Sequence, residues 1–207
     1  TSTQYEIGLK ARLSERSRLN VALFEIHTDD EIVVSGSNSG RTSYTNGGKT
    51  LRRGLEVGLQ NRLAQDWDLN LAYTHLDATY RDDVTGGSSQ IEKGNRLPGV
   101  PRDSLFGELV WKPVAGLSTA LEGQYRSQVY VEDSNYQKAA PAYTVFNWRA
   151  RMEQQLDRFT VYEMVRLDNL LDRHYVGSVI VGDGNGRYYE AAPGRSWYAG
   201  AGVENRF

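Results

Sequence analysis

"DWDLNLAYTHLDATY", residues 66–80, is the stretch that decides the fold. Trp67, Leu69, Leu71 and Tyr73 alternate with Asp68, Asn70, Ala72 and Thr74. A period of two puts one set on each side of a β-strand, giving one apolar and one polar face. Strands of soluble sandwiches average about 5–6 residues. This one is long enough to exceed the roughly 9–11 residues with which a tilted strand crosses a bilayer.

The same alternation recurs on both sides of it. "QYEIGLKAR" sets Tyr5, Ile7, Leu9 and Ala11 against Gln4, Glu6, Gly8 and Lys10, and "GLEVGLQ" sets Leu55, Val57 and Leu59 against Glu56, Gly58 and Gln60. "GLSTALEGQYRSQVY", "TVFNWRARM" and the final "GRSWYAGAGVENRF" continue the pattern. Nine strands are expected, at 4–12, 17–35, 42–61, 66–82, 101–112, 116–132, 142–155, 158–180 and 187–207. Three places break the rhythm. The phase changes near Leu23 and Phe24, which a β-bulge would explain. Glu163 sits among apolar neighbours, and Asn205 falls on the apolar face of the last strand.

The links between these strands alternate in length. "LSER", "NRLAQD", "KPVAG" and "LDR" are tight, whereas the links containing "SGSNSGR", "DDVTGGSSQIEKGNRLPGV", "EDSNYQKAAPA" and "GDGNG" are longer and rich in Gly, Ser, Asn, Asp and Pro. Alternate links of an antiparallel meander lie at opposite ends of the sheet. All tight turns therefore fall at one end and all long loops at the other, the asymmetry of an outer-membrane barrel. Composition agrees. The 207 residues carry a net charge of -2, 13 Tyr, 21 Gly and 4 Trp. The mean hydropathy is -0.57. Alternating strands with a lipid face and a wet inner face yield such a low average. The near-neutral charge gives no footprint for nucleic acid, and the lack of Cys excludes disulfides and thiolate chemistry. On this reading Glu56, Glu108, Glu122, Arg126, Arg149, Arg151, Glu204 and Arg206 point inward, with Trp67, Trp111 and Phe207 near the turn-end rim and Trp197 near the loop-end rim.

Four stretches resemble the C-terminal barrel of TonB-dependent outer-membrane receptors: "GRTSYTNGGKTLRRGLEVGLQNRL" (40–63), "GNRLPGVPRDSLFGELVWKP" (94–113), "VRLDNLLDRHYVGS" (165–178) and "APGRSWYAGAGVENRF" (192–207). The resemblance implies an all-β antiparallel transmembrane meander forming part of a 22-strand barrel in the bacterial outer membrane. It implies uptake of a ferric siderophore or a similar scarce nutrient or cofactor, driven through TonB. Residues 1–207 would then be the C-terminal part of the barrel, with the plug and the N-terminal strands supplied elsewhere. The bilayer and those missing strands are the expected partners, along with TonB acting through the plug and the outer-membrane assembly machinery acting on the final aromatic strand. No intrinsic cofactor is implied; an iron chelate would be cargo. An odd-numbered meander cannot join its two edges antiparallel, so Tyr5–Ala11 and Trp197–Phe207 are expected to pair with strands outside this sequence. The alternative reading is a small passive or structural barrel built from this chain alone or as an oligomer.

In that family ligands are caught by the outer loops and by inward residues near the loop end. Strand phase nominates Tyr80, Arg126, Tyr130, Tyr143 and Tyr198, and the loops nominate Arg41, Tyr136, Arg187, Tyr188 and Tyr189. Arg with Tyr suits an anionic, partly aromatic ligand; a wet lumen also uses both residues as lining. His27, His75 and His174 lack metal-ligand spacing. Asp172 and His174 in "NLLDRH" have no Ser to complete a triad, which leaves a packing role at a strand end and no enzyme. "DGNGRYY" (183–189) has a calcium-loop beginning but Glu190 comes too early for the bidentate position, so it reads as a turn.

Overall fold

A computed structural model describes residues 1–38, 41–85 and 90–205. Thirteen strands form in it: β1 (Ser2–Ser14), β2 (Ser17–Asp29), β3 (Ile32–Asn38), β4 (Arg41–Asn46), β5 (Lys49–Ala64), β6 (Trp67–Tyr80), β7 (Asp103–Val114), β8 (Leu117–Arg126), β9 (Tyr143–Leu156), β10 (Phe159–Asp168), β11 (Val176–Val179), β12 (Tyr189–Ala191) and β13 (Ser196–Asn205). Nine of them make one antiparallel sheet in the order β1-β2-β5-β6-β7-β8-β9-β10-β13, the expected meander. β1 and β13 are its two ends, and no ladder joins them among the described residues.

Four of the nine expected strands each cover two observed ones. The 17–35 and 42–61 segments each divide between the main sheet and a separate β3–β4 hairpin; 158–180 and 187–207 divide likewise between the sheet and a β11–β12 hairpin. Left-handed backbone marks three of the four breaks, at Asp30 (φ 58°), Gly48 (φ 63°), and Asn169 (φ 52°) with Asp172 (φ 50°); residues 192–195, between β12 and β13, have none. A left-handed residue cannot continue a ladder, but the hairpins beyond are also extended, so alternation carries across the break unnoticed. β8 stops at Arg126, which leaves Tyr130 in a loop rather than on the inner strand face where its phase had placed it.

Cross-strand pairing fixes which side chains share a face. Gln60, Asn70, Glu108, Glu122 and Asn147 form one continuous inner row, and Glu122 and Asn147 are buried. Arg149 spans Glu108 and Glu122 (Nε to Oε1 of Glu122, 3.1 Å), and Arg166 donates to both oxygens of Glu122 at 2.8 and 2.9 Å and to Asp168 at 2.8 Å. The opposite face carries Ile7, Leu9, Leu23, Leu71, Leu105, Leu121, Val165 and Val203, all exposed. Trp67 and Trp111 stack at the turn end with ring centroids 5.5 Å apart, and Trp197 stands at the loop end. Phe207 and Arg206 lie outside the described residues. Asn205 pairs with Phe159 at the turn end, beyond the apolar stretch, so its polarity there is unexceptional.

The phase change in β2 has no bulge behind it. Ser17–Asp29 stays in unbroken register with β5, and with β1 from Arg18 onward. Leu19, Val21 and Leu23 face outward and are followed on that same face by Glu25 and His27, which bond to each other at 2.6 Å. Phe24 and Ile26 lie on the inner face. The environment changes along the strand, not the backbone: beyond Leu23 the outer face is polar and the inner face is packed. Phe24 fits because Gly54 has no side chain; a Cβ at Gly54 would collide with the Phe24 ring and with the carbonyl oxygen of His75.

The packed core lies on that inner face, at the loop end. Val33, Ala78, Tyr80, Ile91 and Leu97 are buried together, with Leu76 and Val84 against them. The 81–102 loop folds down onto β6 through Leu97 N–H to Ala78 carbonyl (3.1 Å) and Gly94 N–H to Tyr80 carbonyl (2.9 Å). The 127–142 loop is joined to it by Asn95 Nδ2, which donates to the carbonyls of Asp133 and Ser134. The β11–β12 hairpin adds Gly182 N–H to Val131 carbonyl at 2.9 Å, and Tyr189 hydroxyl donates to the Lys138 carbonyl. Three loops thus make one lid over the inner wall.

Candidate functional site under the loop lid

β8 and β9 end side by side beneath this lid. Arg126 and Tyr143 are register partners on the inner face. The Tyr143 ring packs on Tyr175, centroids 4.3 Å apart and planes inclined by 33°. Around them is a cavity of ≈ 320 Å³ lined by Arg126, Tyr143, Ser127, Pro101, Pro141 and Val179 among others. Asp103 N–H donates to Ser127 Oγ at 2.9 Å and holds the cavity's strand-end corner. Burial pushes the Tyr175 phenol above its usual range, so it presents a neutral ring and a hydroxyl donor.

Arg126 differs from the inner-face arginines of β9 and β10. Arg149 and Arg166 are bound into the Glu108–Glu122–Asp168 network, and Arg151 meets Glu153 at 3.4 Å and lies 5.2 Å over the Tyr162 ring. The Arg126 guanidinium is exposed and bonds to no other side chain among the described residues. An uncommitted cation beside a packed aromatic pair can take an anionic oxygen and a flat ring together.

The other nominated residues fall elsewhere. Tyr80 is 2% exposed and donates to Asp133 Oδ1 at 2.6 Å, so it is committed to the lid's underside. Tyr130 contributes its carbonyl to Gly99 N–H at 2.9 Å. Tyr136, Tyr188 and Tyr189 belong to the lid: Tyr136 hydroxyl lies 3.4 Å from Glu92 Oε1, and Tyr188 meets Tyr189 edge-on. Burial also raises the Tyr188 phenol. Arg187 uses its backbone N–H on Asp183 Oδ2, which also accepts from Asn185 N–H; "DGNG" is a turn, as its composition suggested. Arg41 stands exposed on β4, and Tyr198 on β13 opposite Arg166. Neither lines the cavity.

Tyr175 was missed because its motif reads as packing. In "NLLDRHY", Asn169 Oδ1 accepts from Arg173 N–H at 2.8 Å and Asn169 Nδ2 donates to the Arg173 carbonyl, while Asp172 Oδ1 accepts from Arg195 N–H at 2.8 Å. This clasp carries the chain from β10 back over the lumen and delivers Tyr175 onto Tyr143. His27 and His75 lie on the outer face, bonded to Glu25 (2.6 Å) and Asp103 (2.7 Å).

The family described as TonB dependent receptor-like, beta-barrel matches residues 1–170. The chain belongs to the TonB-dependent receptor β-barrel family. Its outward apolar face therefore meets the lipid of the bacterial outer membrane, and the lid stands at the outer side. The probable TonB-dependent siderophore receptor PiuA of Acinetobacter baumannii is 25% identical over 178 residues, 83% of this chain and 23% of PiuA. The probable TonB-dependent receptor BfrD of Bordetella pertussis is 26% identical over 203 residues, 94% of this chain and 26% of BfrD. The chain thus spans about a quarter of the length of the curated relatives it matches. Among solved structures, PiuA shares the fold with a TM-score of 0.76 at 23% identity over 98% of this chain and 28% of its own. The ferric yersiniabactin uptake receptor FyuA from Yersinia pestis does so with 0.75 at 22% identity, over 98% and 29%.

Proposed function

We propose that this chain is the C-terminal barrel wall and outer lid of an active-transport receptor, with the plug and the remaining strands supplied by the rest of the full-length protein. The receptor takes up a ferric siderophore or a related anionic chelate with energy delivered through TonB acting on the plug. The iron is cargo. The chain itself performs no catalysis and holds no resident cofactor. β1 and β13 pair with the strands that complete the barrel, since open sheet edges in lipid leave backbone groups unsatisfied. The C-terminal strand is the one the outer-membrane assembly machinery engages.

The observation that carries this reading is the uncommitted Arg126, which with Tyr143 lines a cavity under the lid, the Tyr143 ring being backed by Tyr175. In the full-length receptor, Arg126→Ala is expected to weaken binding of the transported chelate about tenfold, the loss of one charge-assisted hydrogen bond. Tyr175→Ala should act in the same direction through lost ring contact. A panel of iron-55-loaded catecholate, hydroxamate and carboxylate chelates, supplied to iron-starved cells, measures this. Energy-independent leakage of all of them alike would replace the receptor with a passive pore.

A further inference from the structure

The outward row of β10 reads Phe159, Val161, Glu163, Val165 and Leu167. Phe159 marks the turn-end rim, and Leu167 pairs with Trp148 on one side and Trp197 on the other. Glu163 lies four residues from each, halfway up the apolar belt. Its cross-strand partners are Met152 and Ala201, and Val165 above it sits between Ala150 and Ala199. It is exposed and has neither hydrogen bond nor ion pair among the described residues. Other outward charges behave differently: Glu25–His27, Arg53–Asp77 and His75–Asp103 lie beyond the apolar stretch at the loop end and pair with one another.

An ionisable side chain in the hydrocarbon layer is costly unless a partner meets it. A polar residue of this face stands close to Glu163. Gln154 is the register partner of Val161, one outward position below Met152. The patch therefore carries its own donor and acceptor, a carboxamide and a carboxylate, and the patch of an identical molecule is its complement under two-fold symmetry. Ala150, Ala199 and Ala201 leave the surface low enough for close approach.

We propose that the outer faces of β9, β10 and β13 form a membrane-embedded two-fold interface between two copies of the receptor. In it Gln154 Nε2–H of one copy donates to the Glu163 carboxylate of the second, and reciprocally. The proposal rests on the receptor reading only in taking this face as lipid-facing.

The test uses full-length receptor carrying Ala201→Cys, oxidised in native outer membranes, with mass measured in lipid nanodiscs by light scattering. A disulfide-linked homodimer and twice the protomer mass are expected. Glu163→Leu should lower the cross-linked fraction about tenfold or more while leaving heat-modifiability and chelate uptake unchanged, and Glu163→Gln should retain the dimer. A monomeric receptor, a cross-link to a different protein, or a dimer indifferent to Glu163→Leu overturns the proposal. Each leaves the receptor reading in place so long as uptake persists.

Discussion

Tyr80 and Arg149 show how differently two inner-face residues are used. Tyr80 ends β6 and reaches Asp133 in the 127–142 loop, so its hydroxyl ties the lid to the wall. Tyr80→Phe keeps the ring in the core and removes that bond. The expected cost is about 1–2 kcal/mol, confined to the lid and read as faster proteolysis of the 127–142 loop with unchanged barrel heat-modifiability. Arg149 stands between Glu108 and Glu122. Arg149→Ala leaves Glu122 with Arg166 but takes the cation from Glu108, which among the described residues then keeps only the hydrogen bond from Asn70 Nδ2 at 3.0 Å. A loss of about 1–3 kcal/mol is expected, seen as a lower denaturation midpoint. Arg149→Lys should restore only part of it, because a point charge cannot span both carboxylates as the guanidinium does. Sequence phase put Tyr80 and Arg149 on the inner face; their partners, set by loops and by neighbouring strands, were not legible there.

At the scale of elements, the tight turns carry more constraint than their lengths suggest. Gly116, between β7 and β8, has φ 82°, and a Cβ there would run into the carbonyl oxygen of Glu153, whose N–H donates to the Gly116 carbonyl at 2.7 Å. Gly116→Ala therefore combines left-handed strain of about 1–2 kcal/mol with a steric conflict. It should slow barrel assembly, measured as the rate at which the heat-modifiable form appears. Strands on either side were readable because lipid and lumen impose period two along their whole length. The hairpins β3–β4 and β11–β12 were not separable from their neighbours in the sequence, because extended segments lie on both sides of each break and alternation alone does not show where a ladder changes partner. In β2 the apparent slip at Leu23 and Phe24 was likewise environmental. The strand leaves the apolar belt at that level, and each face changes its requirement while the register holds.

Considered whole, the molecule is a curved wall with its apolar surface turned outward and its packed core on the inner side, beneath three interlocked loops. Entry to the cavity lined by Arg126 and Tyr143 in the full receptor is then expected to require the lid to move. Lys138→Cys with Tyr189→Cys, bridged by a bis-methanethiosulfonate linker that replaces the reach of the Tyr189 side chain to the Lys138 carbonyl, should lock the 127–142 loop to the β11–β12 hairpin. Uptake should fall on cross-linking and return on reduction; uptake indifferent to the cross-link would mean that ligand enters past a closed lid. The sequence by itself determined the number of strands in the main sheet, the direction of each face, the sorting of short turns from long loops and the family, because a bilayer and a wet interior act locally on every second residue. Only the tertiary structure decided that the long loops fold inward, that Tyr80 is tied to the 127–142 loop, that Arg126 stays out of the ion-pair network that binds Arg149 and Arg166, and that Tyr175 joins Tyr143. Those outcomes depend on contacts between segments tens of residues apart, which no local period encodes.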